Sequence, residues 1–179
     1  RDQPRSRGLG DVYKRQWNNT FNYKNFDFSF FVVGFHGFDI YNATHQMGYN
    51  LIKSQQMAGV TPMRELLNRW TPTNTNTDIP GFVKGGTENK DFFSTRFVEN
   101  GSFIKMKSIT LGYTLPEATC RSLGINNLRV YASVQNPFHI TKYSGLDPEA
   151  TMGSPLVQGV DWGAYPNSRN YLIGLNFSF

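Results

Sequence analysis

The residues that could do chemistry here are few and scattered. His36, His45 and His139 show no paired-ligand spacing, so no metal site is legible and none is assigned. Cys120 is the single cysteine, which excludes an intramolecular disulfide and a thiolate metal cluster. No Gly-x-Ser-x-Gly elbow and no phosphate-cradling glycine loop occurs, so no catalytic residue, enzyme activity or cofactor is expected. Asp147 and Glu149 could pair as carboxylates or take a calcium ion. Leu146-Asp147-Pro148-Glu149 reads better as a turn, with Asp accepting local backbone hydrogen bonds and Pro fixing φ. What remains is binding chemistry. Trp70, Tyr143, Trp162 and Tyr165 lie in loop-like stretches, where aromatic rings could stack on a sugar or bury against a partner protein. Each could equally pack its own loop.

Those loops need a scaffold, and the last eleven residues show which kind. Tyr171, Ile173, Leu175, Phe177 and Phe179 fall on one side of a strand; Asn170, Gly174, Asn176 and Ser178 fall on the other, with Leu172 the exception. Eleven residues at about 3.3 Å each span roughly 36 Å, or roughly 25 Å of height at a 45° tilt, which matches the apolar band of an outer membrane. A strand at the edge of a soluble sandwich is the competing reading.

Four further strands are expected. Trp17 to Tyr23 alternates weakly, Lys24-Asn25 is a turn, and Phe26, Phe28, Phe30 and Val32 share a face. Ile109, Leu111, Tyr113 and Leu115 share a face in Phe103–Leu115, while Ile104 and Met106 are out of phase with them. A bulge near Lys107-Ser108 would restore one apolar face. After a short helical stretch over Pro116–Gly124, Leu128, Val130, Ala132 and Val134 alternate with Arg129, Tyr131, Ser133 and Gln135, and Asn136-Pro137 is read as the stop. Between residues 38 and 102 no comparable strand is seen. Thr61-Pro62 reads as a helix start, with Met63, Leu66, Leu67 and Trp70 on one face. The five strands are thus joined by short, long, short and long connections. That is the pattern of an up-and-down membrane barrel with short periplasmic turns and long outer loops. Trp17, Tyr113 and Tyr171 are expected near the membrane interfaces, Tyr171 at the outer rim.

Composition sets limits. The chain has 179 residues, room for one ordinary domain, with 17% charged and 15% aromatic residues. The mean hydropathy of −0.46 argues against helical spans but not against a barrel, whose strands are polar at every second position. The net charge is +5, yet residues 1–16 hold five basic and two acidic groups, so the remainder is nearly neutral and offers no nucleic-acid groove. Residues 1–16 lack alternation and are set apart as a non-native or linker segment. Leu9–Gln16 has the look of a translated sequencing adapter, with a native basic linker as the other reading. Residues 17–179 form the body. Without an initiating Met or a signal peptide, the chain reads as the tail of a longer one.

Several stretches in order along this body carry a family resemblance. They include Asn19-Thr20-Phe21 through Asp27, Asn68-Arg69-Trp70-Thr71-Pro72 with Asn76–Pro80, and Phe97-Val98-Glu99-Asn100-Gly101-Ser102-Phe103-Ile104-Lys105. Leu111–Pro116, Leu128–Tyr131 with Gln135-Asn136, Tyr143–Glu149 and Tyr165–Arg169 continue the series. The chain resembles the carboxy-terminal part of SusC/RagA-type TonB-linked outer-membrane transporters.

The resemblance implies an all-β fold: about five antiparallel strands of a large plugged barrel, of the 22-strand size known for such transporters, drawn as an open curved sheet when isolated. It implies a multi-pass protein of the outer membrane that imports glycans or peptides in Bacteroidota. The implied partners are a SusD-type surface lipoprotein as lid, TonB acting through an amino-terminal part outside these residues, and the outer-membrane lipid. The closing strand, Tyr171, Ile173, Leu175, Phe177 and Phe179, resembles the signal read by the barrel-assembly machinery. A soluble β-rich carbohydrate-binding module is the alternative function. Five strands cannot close, so residues 17–179 in isolation are expected to aggregate or stay unfolded.

Overall fold

Period-2 alternation favours extended chain, and the computed structural model is mostly antiparallel strand. It describes residues 12–49, 62–81, 94–122, 124–152 and 159–178. Phe179 and Thr61, both named above, lie outside the described residues, as do residues 1–11. Two units divide the chain. One comprises residues 1–38, 100–143 and 166–179, the other residues 39–99 and 144–165.

The first unit is a five-stranded sheet. β1 (Tyr13–Tyr23) and β2 (Phe26–His36) form a hairpin around Lys24-Asn25, with Lys24 at φ 52°, the left-handed conformation that two-residue hairpin turns favour. β1 starts four residues before the body as drawn from sequence: Tyr13–Gln16 pair with Val33–His36. In chain order, β3 (Asp39–Asn42) and β4 (Val98–Asn100) belong to the loop segments described below. β5 (Phe103–Thr114) pairs with β2, β6 (Asn127–Thr141) with β5, and β8 (Asn170–Ser178) with β6, all antiparallel. The five long strands are therefore neighbours in sequence order, as expected of an up-and-down sheet.

Register puts the connections at opposite ends. Tyr23–Phe26 and Thr114–Arg129 pair beside the short turns, while Phe35, Phe103 and Thr141 pair beside the long connections. The short β5–β6 link contains α2 (Glu117–Ser122), closed by Gly124 at φ 72°, whose N–H donates to the Arg121 carbonyl at 3.2 Å.

The bulge falls where the phase change demands it. Phe31 pairs with Ser108 and Val32 with Met106, so Lys107 is the extra residue. On the other side Met106 pairs with Phe138 and Ser108 with Gln135. Here the expected stop at Asn136-Pro137 is corrected: β6 runs on to Thr141. Asn136 and Pro137 face Lys107 within the bulge, where Pro has no ladder N–H to lose and Asn136 takes φ 50°.

The second unit is built of short pieces. β4, β3 and β7 (Val160–Asp161) make a three-stranded sheet, in which β3 runs parallel to β7. α1 (Ala43–Tyr49) follows β3 directly. The helix expected to begin at Thr61-Pro62 is a 3-10 turn, Arg64–Asn68. At three residues per turn it buries Leu66 but leaves Leu67 79% exposed, so the four-residue apolar face does not form.

The candidate functional site

The sheet has two chemically distinct faces. Residues paired across antiparallel strands share a face, so the ladders define rows. One row is Phe21, Phe28, Leu111, Ala132 and Ile173; the next towards the short turns is Tyr23, Phe26, Tyr113, Val130 and Leu175. Aromatic rings knit this face: Trp17 meets Phe30 edge-on at 5.0 Å and Phe26 meets Tyr113 at 4.6 Å. Phe21, Leu111, Ile173, Leu175 and Phe177 are nonetheless exposed. An apolar face of this extent is a surface that needs lipid or protein against it.

The opposite face is polar. Its rows include Thr20, Ser29, Thr110, Ser133 and Leu172, then Asn18, Phe31, Ser108, Gln135 and Asn170. Thr110 and Ser133 share a hydroxyl hydrogen bond of 2.8 Å, and the Asn170 amide donates to Gln135 at 3.3 Å. One cross-brace spans four strands. Arg129 Nε and its terminal nitrogen donate to the two Asp27 oxygens at 2.9 and 2.5 Å, passing over Gly112 on the strand between. The Arg129 guanidinium lies 5.0 Å from the centre of the Tyr131 ring, and that ring covers Gly174. A Cβ at Gly112 would fall into the Asp27–Arg129 pair, and one at Gly174 into Tyr131. Towards the long connections this face turns aromatic, with Phe35 stacked on Phe103 at 5.1 Å and Phe38 edge-on to Phe103 at 6.3 Å.

The loop unit is held by a polar hub. Glu99 on β4 accepts from the Ser144 N–H at 2.8 Å, the Ser144 hydroxyl at 2.7 Å and the Asn42 amide at 3.0 Å. Asn42 also caps α1: its side-chain oxygen accepts from the His45 N–H at 2.8 Å. His45 stands between two carboxylates, with Nδ1 3.6 Å from Glu99 and Nε2 3.3 Å from Glu65. Tyr49 donates to Glu65 at 2.8 Å, and Arg96 sits over the Tyr49 ring. Burial pushes the Glu99 carboxyl up, but the Ser144 and Asn42 hydrogen bonds outweigh it and hold the group below the usual range. Hydrogen bonds from Tyr49 and then His45 lower Glu65 as well. A cavity of about 290 Å³ opens beside Asn42, His45, Glu65, Ser144 and Asp161.

Sequence reasoning missed this hub. Asn42 before Ala43-Thr44-His45 is a legible cap signal, whereas nothing in the sequence brings Glu99 to Ser144. The turn at Asp147 is as expected: its carboxylate accepts from the Glu149 N–H at 3.0 Å. Among the described residues no cluster of His, Cys, Asp and Glu is arranged to hold a metal.

The four loop aromatics fare differently. Tyr143 is buried at 5% exposure and packs within the first unit, so it presents no open face to a ligand. Trp70, Trp162 and Tyr165, in the second unit, are 47%, 58% and 88% exposed and make no ring contact with another described aromatic. Trp70 packs its ring edge on Gly81. Tyr171, Ile173, Leu175 and Phe177 of the closing strand all stand exposed on the apolar face. Tyr171 pairs with Val134, seven residues before Thr141 at the end of β6, rather than with the last residues of that strand.

No family model matches the sequence. Individual proteins do. The chain is 36% identical over 169 residues to TonB-dependent receptor P3 of Formosa agariphila, covering 91% of the chain and 16% of the receptor. It is 34% identical over 159 residues to the TonB-dependent receptor SusC of Bacteroides thetaiotaomicron, covering 88% and 14%. Among solved structures, the RagAB peptide importer in its open-open state superposes with a TM-score of 0.73 at 28% identity, over 93% of this chain and 17% of that one. The chain thus spans about a sixth of the length of the receptors it matches. A meander with one apolar and one polar face and these matches agree: the chain belongs to the SusC/RagA-type TonB-dependent outer-membrane receptors, as a segment of their β-barrel.

Proposed function

We propose that this chain is the carboxy-terminal barrel portion of a TonB-dependent importer that moves oligosaccharides or peptides across the outer membrane. The observation that carries the reading is the two-faced sheet. The rows of Phe21–Ile173 and Tyr23–Leu175 suit lipid, and the rows of Thr20–Leu172 and Asn18–Asn170 suit a wet, plugged lumen. Both long connections leave one end of the sheet, as outer loops do in such barrels. Movement through the barrel is gated diffusion, with no covalent step by these residues. A SusD-type lipoprotein covers the outer mouth, TonB acts through a part of the receptor outside these residues, and the assembly machinery pairs with β8. Trp70, Trp162 and Tyr165 remain candidates for contact with cargo or with the lipoprotein, by virtue of their exposure.

Peptide cargo has support in a structural relative that is a peptide importer, and oligosaccharide cargo rests on the family resemblance alone. The test is to fractionate cells making the full-length receptor and to follow uptake of labelled oligosaccharides and oligopeptides. Receptor in the detergent-extracted outer membrane, with uptake abolished when TonB is deleted, is the expected result. A soluble periplasmic or secreted parent protein would favour the carbohydrate-binding module and overturn the importer.

A further inference from the structure

The apolar face changes character at its long-connection end. Above the row Trp17, Val32, Met106, Phe138 comes Arg15, Gly34, Ile104, Ile140, and then Tyr13 with His36. Lys142 follows β6 directly. A groove of about 610 Å³ lies here, lined by Gly34, Ile104, Ile140, His36 and Lys142 among others.

Gly34 makes it a groove. Its φ is not positive, so no unusual backbone conformation demands glycine there. A Cβ would meet nothing closer than 3.9 Å, so a side chain would fit and the space over Gly34 is open. Ile104 and Ile140 wall that space and are both well exposed. Neither Lys142 nor His36 is paired with a carboxylate among the described residues. An apolar floor with unpaired cationic and N–H donors at its outer lip is complementary to an anionic amphiphile. An uncharged acyl chain would use the floor and leave Lys142 without a counter-charge; a free phosphate would use Lys142 and leave the floor wet.

We infer that this groove seats a phosphate-bearing acylated lipid of the outer leaflet, with an acyl chain over Gly34 and the phosphate on Lys142 and His36. The inference rests on the barrel orientation proposed above, in which the long connections face outward. Lys142, His36 and Gly34 suffice for it without Arg15, which lines the groove from the stretch set apart on sequence grounds.

The test uses the full-length receptor, delipidated in detergent and titrated by native mass spectrometry with monophosphorylated lipid A and with its dephosphorylated form. The phosphorylated lipid is expected to bind about ten-fold more tightly, the worth of one charge-assisted hydrogen bond. The double variant Lys142→Gln/His36→Gln is expected to erase that preference, and Gly34→Leu, which fills the groove, to weaken both lipids. Heat-resistant migration on a gel reports whether each variant still forms a barrel. Equal binding of the two lipids by the unaltered receptor overturns the site, as does a preference that survives the double variant. Equally tight binding of a triacylated, phosphate-free lipopeptide also overturns it, by assigning the groove to a lipoprotein anchor. Cargo uptake is scored separately, so a failed lipid site with intact uptake leaves the importer reading standing.

Discussion

The sheet and the loop unit are built on different physics. Each long strand pairs along most of its length, and its stability lies in repeated cross-strand contacts such as Phe26–Tyr113 and Phe21–Phe28. Among its described residues the loop unit has strands of two to four residues and one seven-residue α-helix, so the ladders seen there are short. It relies instead on a few side chains that each satisfy several partners, Glu99 and Asn42 above all. The difference teaches where each region is fragile. The sheet should be most sensitive to a charge on its apolar face, and the loops to loss of the hub.

The largest effect should come from the sheet's apolar face. With the apolar face against lipid, as proposed, Leu111→Lys or Ile173→Lys in the full-length receptor should cost about 2–4 kcal/mol, whereas Ser133→Lys on the polar face should cost far less. Urea unfolding of the receptor in lipid vesicles measures both. Equal costs for the two faces would mean that the inside and outside of the sheet are wrongly assigned.

Next in size is the hub. Glu99→Ala leaves the Ser144 N–H and hydroxyl without their acceptor, and the Asn42 amide with the Ser144 oxygen alone, and should destabilise the loop unit by about 1–3 kcal/mol. Hydrogen exchange should show the His45 and Ser144 amides losing protection while the β5 and β6 amides keep theirs. Simultaneous loss in both regions would show that the two are one cooperative unit.

Gly112→Ala tests the brace inside the sheet. The new methyl displaces the Asp27–Arg129 pair, and a loss of about 1–2 kcal/mol is expected, within the usual range for a single substitution. The same substitution in an Asp27→Ala background should cost markedly less, because the colliding carboxylate is gone.

The smallest effect is with pH. Glu99 and Glu65 have carboxyl groups held below their ordinary value of 4.5. A carboxylate lowered by folding adds stability above 4.5, and that stability is lost as pH falls through the folded value. Loop protection should therefore be flat from neutral pH to about 5 and decline below about 4.5. Glu65→Gln should make the decline shallower. A decline that begins well above pH 5 would show that neither carboxylate controls it.

Much of the sheet was legible before any coordinates. Alternation marked all five strands, and the clash of phase between Ile104-Met106 and Ile109-Leu111 located the bulge at Lys107. The same reasoning failed at Asn136-Pro137, because a proline that ends a regular strand is harmless inside a bulge, and only the partner strand creates the bulge. Leu67 was misassigned because a 3-10 turn and an α-helix share a composition but not a period. Tyr143 reads like any loop aromatic, and only packing shows it buried.

By itself, then, the sequence determined which residues pair into strands and which side of each strand is greasy, because side-chain direction in a strand depends on parity alone. Tertiary structure decided what parity cannot carry. It brought Glu99 to Ser144 and Asn42, laid Arg129 across Gly112 onto Asp27, and opened the groove over Gly34. Those contacts join residues far apart in the chain, and their partners are selected by space and by hydrogen-bond satisfaction, for which no local pattern exists.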